Sequence, residues 1–394
     1  MLPGVGVFGT TATIQSFVPI LKVCGFPVVA LWGSENLDAR TLAAELDIPF
    51  STHKVDDVLL RKDVDLVVIG CPPHSQSYIA VKALGIGKHV LCSSPSGPMQ
   101  LNALLMVKAA RYYPRLMSLM CYGLRFLPTI VKMKKIIEEG CLGNITICEV
   151  KVHYGGLPKE KYDWMCDEGM GGGVLNTFGS NIIDVITFLT SERAVRVHGM
   201  LKTYTKQTQN IKGIREITSD DFCTFQMELD KGACVNVTLN SHITGQFVQE
   251  ILVCGRKGRL IARGSDLYEQ RLNATRESLI HFDPIKEEER YGISPKARTE
   301  IPSPYLKGLI HMIEAVKDAF EKEEERQNWH PEPVASASNF EDALYVQAVV
   351  DAIRKSNKTK QWTKVDVSVN EPEPEPNSNS MSLDYVRRGT IVLH

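Results

Sequence analysis

Residues Val5 to Ile14, Val-Gly-Val-Phe-Gly-Thr-Thr-Ala-Thr-Ile, are the first group whose types and spacing suit chemistry. A short apolar strand (Val5, Val7, Phe8) runs into a glycine turn at Gly9, then an apolar helix (Ile14, Phe17, Val18, Ile20, Leu21). Strand, tight turn and helix start together aim backbone N–H groups at a pyrophosphate, as in the first unit of a dinucleotide-binding fold. The string Gly4-Val5-Gly6-Val7-Phe8-Gly9 matches G-x-G-x-x-G, but too few residues precede it to form the strand that motif must follow. With the turn at Gly9, the second glycine falls on Thr11 and the third on Ile14. Both add bulk where the motif has none, although the Thr11 hydroxyl could itself donate to a phosphate. Gly9, Thr10, Thr11 and Ala12 are the candidate phosphate contacts.

Further groups stand at the ends of later strands. After the second strand comes Trp32-Gly33-Ser34, with no acid at the tip to bind a ribose 2′-hydroxyl. Ser34 and Arg40 could hold a 2′-phosphate there, which favours NADP over NAD; the plainer reading puts them on a helix start and a solvent face. The buried strand Asp65 to Cys71 ends in Pro72-Pro73, with Gln76 one turn on, and the strand His89 to Cys92 ends in Ser93-Ser94-Pro95. Arg125 follows the last strand of this series, and with Cys71, Pro72, Pro73, Gln76, Ser93 and Ser94 it makes up the further candidate cofactor contacts. Gly171-Gly172-Gly173 precedes an apolar helix carrying Thr177, Asn181 and Asp184. Asp184 reads as a helix residue bonded to nearby backbone or a cation, and His89 as a packed, satisfied histidine.

Strand and helix patterns alternate through the first third, the mark of parallel βαβ units. They position the groups above in a doubly wound domain over residues 1–123. From Leu124 the texture changes to strands rich in Val, Ile and Thr, with hairpin turns at Asp230-Lys231-Gly232 and Arg256-Lys257-Gly258. An embedded helix (Asn181 to Leu189) and two late ones (Leu306 to Phe320, Phe340 to Arg354) complete an α+β domain over 124–365. Residues 366–394, with Glu371-Pro372-Glu373-Pro374-Glu375-Pro376, read as a disordered tail. The expected fold is α/β: a Rossmann-like parallel sheet, then a large, mostly antiparallel open sheet with helices on one face.

The 394 residues carry 45 basic and 46 acidic side chains, a balance that argues against nucleic acid as partner. The 10 cysteines are scattered singly, without metal-site or thioredoxin spacing, so no metal is expected and a reducing, cytoplasmic location is favoured. No run approaches a membrane span. Ile14 to Gly25 could be taken for a signal peptide, the secreted alternative, but cleavage there would remove the first strand and its turn.

Four landmarks then coincide: the turn at Gly9; Cys71-Pro72-Pro73 with Gly87-Lys88-His89-Val90-Leu91-Cys92; Leu124-Arg125-Phe126-Leu127-Pro128; and Gly171-Gly172-Gly173-Val174-Leu175. With Asp184 and Val350-Asp351-Ala352 they resemble the glucose-fructose oxidoreductase / inositol dehydrogenase (Gfo/Idh/MocA) family over about the first 365 residues. The opening residues are similar to those of its vertebrate domain-containing group. The resemblance implies a nicotinamide cofactor, a small-molecule ligand and a homodimer formed by the second sheet.

It also exposes departures. Active relatives end the His-Val strand in Glu-Lys-Pro, whose Lys reaches the reacting hydroxyl; here Ser94 stands at that position. Their Gly-rich segment continues to an Asp and a His; here these are Thr177 and Asn181, while Asp184 is retained. A positioned acid or base contributes roughly 10²–10⁴-fold to removal of a hydroxyl proton. Ser, Thr and Asn do not titrate near neutral pH. The expectation is an NADP(H)-binding protein with impaired or lost dehydrogenase chemistry, a pseudoenzyme. The alternatives are an active NAD(P)-dependent oxidoreductase on a sugar or polyol, with Tyr122, Tyr162 or Asp163 as replacement acid, or a secreted or scaffold protein using its second sheet.

Overall fold

The computed structural model describes all residues but 1, 156–161, 208–215, 243–246, 284–289, 322, 324, 326 and 368–394. The Glu-Pro tail read from the sequence lies outside the described residues.

The first unit alternates β1 (Val5–Phe8), α1 (Ala12–Val23), β2 (Val28–Trp32), α2 (Asn36–Glu45), β3 (Ser51–Thr52), α3 (Val55–Leu59), β4 (Leu66–Ile69), α4 (Pro73–Gly85), β5 (His89–Cys92), α5 (Gln100–Tyr112) and β6 (Ser118–Met120). Its strands β1 to β6 pair in parallel in the order β6-β5-β4-β1-β2-β3. Central strands β1, β4 and β5 are buried along their whole length, which is why they read as unbroken apolar runs. The order reverses between β4 and β1, and a doubly wound sheet opens its ligand crevice outside the carboxyl ends at such a point. The short β3 and α3 were not visible in the sequence pattern.

After α6 (Pro128–Glu138), strands β7 (Ile145–His153), β8 (Ala194–Lys202), β9 (Phe222–Leu229), β10 (Cys234–Asn240), β11 (Val248–Gly255), β12 (Gly258–Arg263), β13 (Asp266–Arg271) and β14 (Ser278–His281) build the second sheet. Both expected hairpin turns are present: 230–232 joins β9 to β10 and 256–258 joins β11 to β12. Pairing is antiparallel except between β7 and β10. Alternation along β7 and β10 buries Cys148, Val150, Val152, Val235 and Val237 under the helices and turns Glu149, Lys151 and Asn236 outward. The helix α7 (Ser180–Thr190) lies on the covered face.

The two late helices, expected to close the second unit, reach into the first. Helix Ser303–Glu321 buries Leu306, Ile310, Ile313 and Val316 in the same core as Val5, Ile14 and Phe17. Before helix Phe340–Thr359, the pair Ser338–Asn339 forms β15 and adds antiparallel to β6, extending the first sheet. Asn339 then caps that helix, accepting from the Glu341 and Asp342 N–H groups while the Asp342 carboxylate answers its own amide. A last pair, β16 (Thr363–Lys364), edges the second sheet beside β8.

His89 is the packed histidine the sequence suggested. Its Nδ1 accepts from Met117 N at 2.9 Å, Nε2 lies 3.1 Å from Gln327 O, and its ring meets Phe320 edge-on. Burial pushes its pKa down to about 4, so the ring is neutral at pH 7.

Candidate functional site

The crevice starts at Gly9, whose φ of 126° requires glycine. A Cβ there would stand 2.8 Å from Cys71 N, so the turn abuts the end of β4. Ile14, which fills the motif's third-glycine position, is accommodated from the other side. A Cβ on Gly70 would stand 2.8 Å from Ile14 Cδ1, so the missing side chain belongs to the neighbouring strand. Thr11 Oγ1 donates to Gly70 O at 2.8 Å, tying its hydroxyl to the protein backbone. No side chain caps the start of α1, so its first amides remain for a ligand's anionic group. Glycine turn and uncapped helix start fit a pyrophosphate, with Thr10 and Ala12 half-buried beside it.

At the tip of β2, a Cβ on Gly33 would lie 2.8 Å from Thr10 Cγ2 and 3.0 Å from Ala39 Cβ. Close packing of the turn against α2 therefore leaves no room for an acidic side chain at this position. Ser34 is exposed in the following turn, and Arg40 is exposed on α2.

The other end of the crevice brings the degenerate positions together. Gln76, buried, donates to Cys71 O at 2.9 Å and to Ser93 Oγ at 3.1 Å, joining the ends of β4 and β5. Asn181 Nδ2 donates to Ser94 Oγ at 3.2 Å and to Thr177 O at 2.8 Å, while Thr177 Oγ1 donates to Gly173 O at 2.8 Å. Thr177 and Asn181 reach this point through a π turn, Leu175–Gly179, that feeds α7. Gly171 has φ 91°, and a Cβ there would stand 2.9 Å from Pro73 Cβ, so the glycine loop rests on the Pro72-Pro73 turn.

Asp220, which the sequence did not single out, holds that loop. Its Oδ2 accepts from Leu175 N at 2.8 Å, and a Cβ on Gly173 would collide with its carboxylate. Burial pushes its pKa up to about 6, against the opposing pull of the Leu175 amide and Arg354. The folded state then binds this proton more tightly than the unfolded chain, so the contribution of Asp220 to stability falls as pH rises from about 4 through about 6. Asp220→Asn should flatten that limb of the stability–pH curve, measured by urea unfolding at pH 4.5 and 7.

Arg125, a candidate cofactor contact, is engaged by the protein itself. Its Nε and Nη2 donate to the two oxygens of Asp184 at 2.8 and 2.6 Å, its Nη1 reaches Ser336 O at 3.3 Å, and Asp342 lies 3.4 Å away. Asp184 is thus bonded to a cation, as one sequence reading had it. Of the replacement acids, Tyr122 is 1% exposed and burial raises its phenol well above the usual range. Asp163 accepts from Met165 N at 2.9 Å as a cap, and Tyr162 packs on Cys166 and Ile217. Among the described residues no three His, Cys, Asp or Glu side chains could share a metal ion, and no helix is long and apolar enough to cross a membrane.

Residues 4–117 match the family model for the oxidoreductase family, NAD-binding Rossmann fold, and 130–261 match the GFO/IDH/MocA C-terminal domain. The chain is 51% identical over 94% of its length, and 94% of the relative's, to glucose-fructose oxidoreductase domain-containing protein 1 of Xenopus tropicalis. It is 47% identical over 94% of its length, and 95% of the relative's, to domain-containing protein 2 of Homo sapiens. Two solved structures share the fold. An oxidoreductase domain protein from Kribbella flavida has TM-score 0.77 at 21% identity, and levoglucosan dehydrogenase in complex with NADH and L-sorbose has 0.76 at 18%; each match covers 93% of this chain and 100% of the other. Sequence and fold agree along both units, and the chain belongs to the Gfo/Idh/MocA oxidoreductase family.

Proposed function

We propose that the protein binds NADP(H) in the crevice between Gly9 and Ser94 and that ordinary alcohol dehydrogenation there is impaired or lost. The Ser94–Asn181 contact carries this reading: the positions that move a proton in active relatives meet, but as an amide and hydroxyls. A nicotinamide bound here would give or take a hydride. The chain's own part is the accompanying proton, and neither Ser94, Thr177 nor Asn181 can hold it near pH 7. What these side chains can do is orient a ligand by hydrogen bonding. For the other end, Gly33 in place of an acid, with Ser34 and Arg40 free to approach a 2′-phosphate, supports NADP over NAD.

Native mass spectrometry of gently purified protein, followed by calorimetry, tests this. The expected result is one dinucleotide per chain, NADPH bound at least about tenfold tighter than NADH, and no change at 340 nm with glucose, xylose or myo-inositol. Steady turnover of any of these would replace the reading by an active sugar or polyol oxidoreductase, to which the levoglucosan dehydrogenase fold match lends support. Retention of no dinucleotide would favour the interaction-protein alternative. A homodimer is part of the proposal, supported by apolar Ile147, Val195, Met200 and Val248 exposed on the second sheet. Ten cysteines scattered singly along the sequence, without metal-site or thioredoxin spacing, support a reducing, cytoplasmic setting over a secreted one.

A further inference from the structure

Past the tip of β2, the strand order puts β3 at the adenosine end of the crevice. That strand is only Ser51–Thr52, yet it is closely tied to the tip. Leu31 pairs with Ser51 and Trp32 with Thr52 in parallel register. Gly33 N donates to Thr52 O at 3.1 Å, and Trp32 Nε1 donates to His53 O at 2.9 Å. Thr10 of the phosphate turn lies against the same tip, since a Cβ on Gly33 would stand 2.8 Å from its Cγ2. Contacts therefore run from the phosphate turn through Gly33 to Thr52, with His53 and Lys54 next in the chain. Adjacent strands lie about 4.8 Å apart, so the end of β3 is about 10 Å from that of β1. An adenosine whose pyrophosphate rests on the Gly9 turn can reach it.

The turn after β3 is held from within. Thr52 Oγ1 donates to Asp57 Oδ2 at 2.8 Å and accepts from Lys54 N at 3.1 Å. His53 and Lys54 are both exposed on it. Neighbouring cations are matched by acids: Arg61 holds Asp63 at 2.6 Å, and Lys82 holds Asp56 at 2.8 Å. Lys54 is not. Among the described residues its ammonium group enters no hydrogen bond or ion pair, and the same holds for the Arg40 guanidinium. One unmatched cation thus comes from each element that borders the tip, α2 and the end of β3. Glu35 and Asp38, exposed at the start of α2, would oppose a phosphate. A carboxylate there suits a free 2′-hydroxyl instead, so ligands with and without the phosphate decide between these acids and Lys54.

We infer that Lys54, carried to the β2 tip by the pairing of β3, contacts the 2′-phosphate of NADP(H) and sets the preference for it. The inference rests on the dinucleotide reading of the crevice and deepens it. Gly33, closed in by Thr10 and Ala39, has no side chain to offer, and Ser34 brings no charge. The charge has to come from a neighbouring element. An ammonium group is a compact charge on a flexible four-carbon stem, so it can follow a phosphate at an exposed site.

Calorimetry on the full chain at low salt tests it with two fragments that differ only in the phosphate, 2′,5′-ADP and 5′-AMP. The native chain should bind 2′,5′-ADP tighter. Lys54→Met should weaken 2′,5′-ADP about fivefold, the effect of one exposed charge pair, and leave 5′-AMP unchanged. The same loss should appear for NADPH and not for NADH, and Lys54→Arg should keep the native affinities. Since the Lys54 ammonium holds nothing in the fold, these variants should melt as the native chain does. Lys54→Met without effect on the phosphate-bearing ligands, an equal loss for both kinds, or a native chain that binds 5′-AMP at least as tightly would each overturn the inference. A chain that prefers NADPH whatever stands at position 54 fails this inference alone. One that binds neither NADPH nor NADH fails the dinucleotide reading as well.

Discussion

Arg125→Met should lower the unfolding free energy by about 3–5 kcal/mol, because it leaves the Asp184 carboxylate buried without its cation. The Asp184 side chain has no exposed surface and that of Arg125 is 10% exposed, so water cannot take over the lost bonds. The pair is bidentate, and the same guanidinium also reaches Ser336 O and Asp342. It thus fastens the segment after β6 to α7 and to the start of helix Phe340–Thr359. Urea unfolding of Arg125→Met, Asp184→Leu and the double variant distinguishes a needed pair from a merely tolerated one. Arg125→Met alone should be the worst, and adding Asp184→Leu should recover much of the loss, since burying neither charge is often neutral. A single-variant loss under about 1 kcal/mol would mean that water or another cation reaches Asp184 after all.

The second large effect is a gain. Ser94→Lys, Thr177→Asp and Asn181→His together should raise NADP⁺-dependent oxidation of a secondary alcohol by roughly 10²–10⁴-fold over the native chain. The Ser94 Oγ to Asn181 Nδ2 distance of 3.2 Å shows that side chains at the two positions already meet. Single replacements should recover far less, because groups that share one proton act as a unit. Alcohols to try are myo-inositol, glucose and 1-phenylethanol. Dinucleotide affinity is to be measured first. A triple variant that binds NADPH as the native chain does, yet gains nothing on all three alcohols, would place the lost activity elsewhere than in these three side chains.

What the sequence made legible was whatever depends on local periodicity. Unbroken apolar runs such as Leu66–Ile69 gave the parallel strands, and Asp230-Lys231-Gly232 gave a hairpin, because neighbours in the chain decide both. Strands of two residues, Ser51–Thr52 and Ser338–Asn339, have no period to read. Strand Asp266–Arg271 escaped as well, since most of its side chains are polar and only Leu267 is buried. At the site, the substituted positions 94, 177 and 181 could be named from the chain, and they meet in space. Their supports could not. Gly70 makes room for Ile14 from another strand, Arg125 finds Asp184 across 59 residues, and Asp220 braces Gly173 from the loop before β9. Each is a contact set by tertiary packing, to which spacing in the sequence is blind.

The strand at Ser338–Asn339 has a bearing on how the chain is made. It pairs with Leu119 and Met120, roughly two hundred residues upstream, and closing so long a loop carries an entropic cost that later contacts must offset. A ribosome releases the amino-terminal half long before that edge arrives, so the nascent first sheet waits with its β6 border unpaired. Until translation passes residue 339, that border is open to the wrong neighbour.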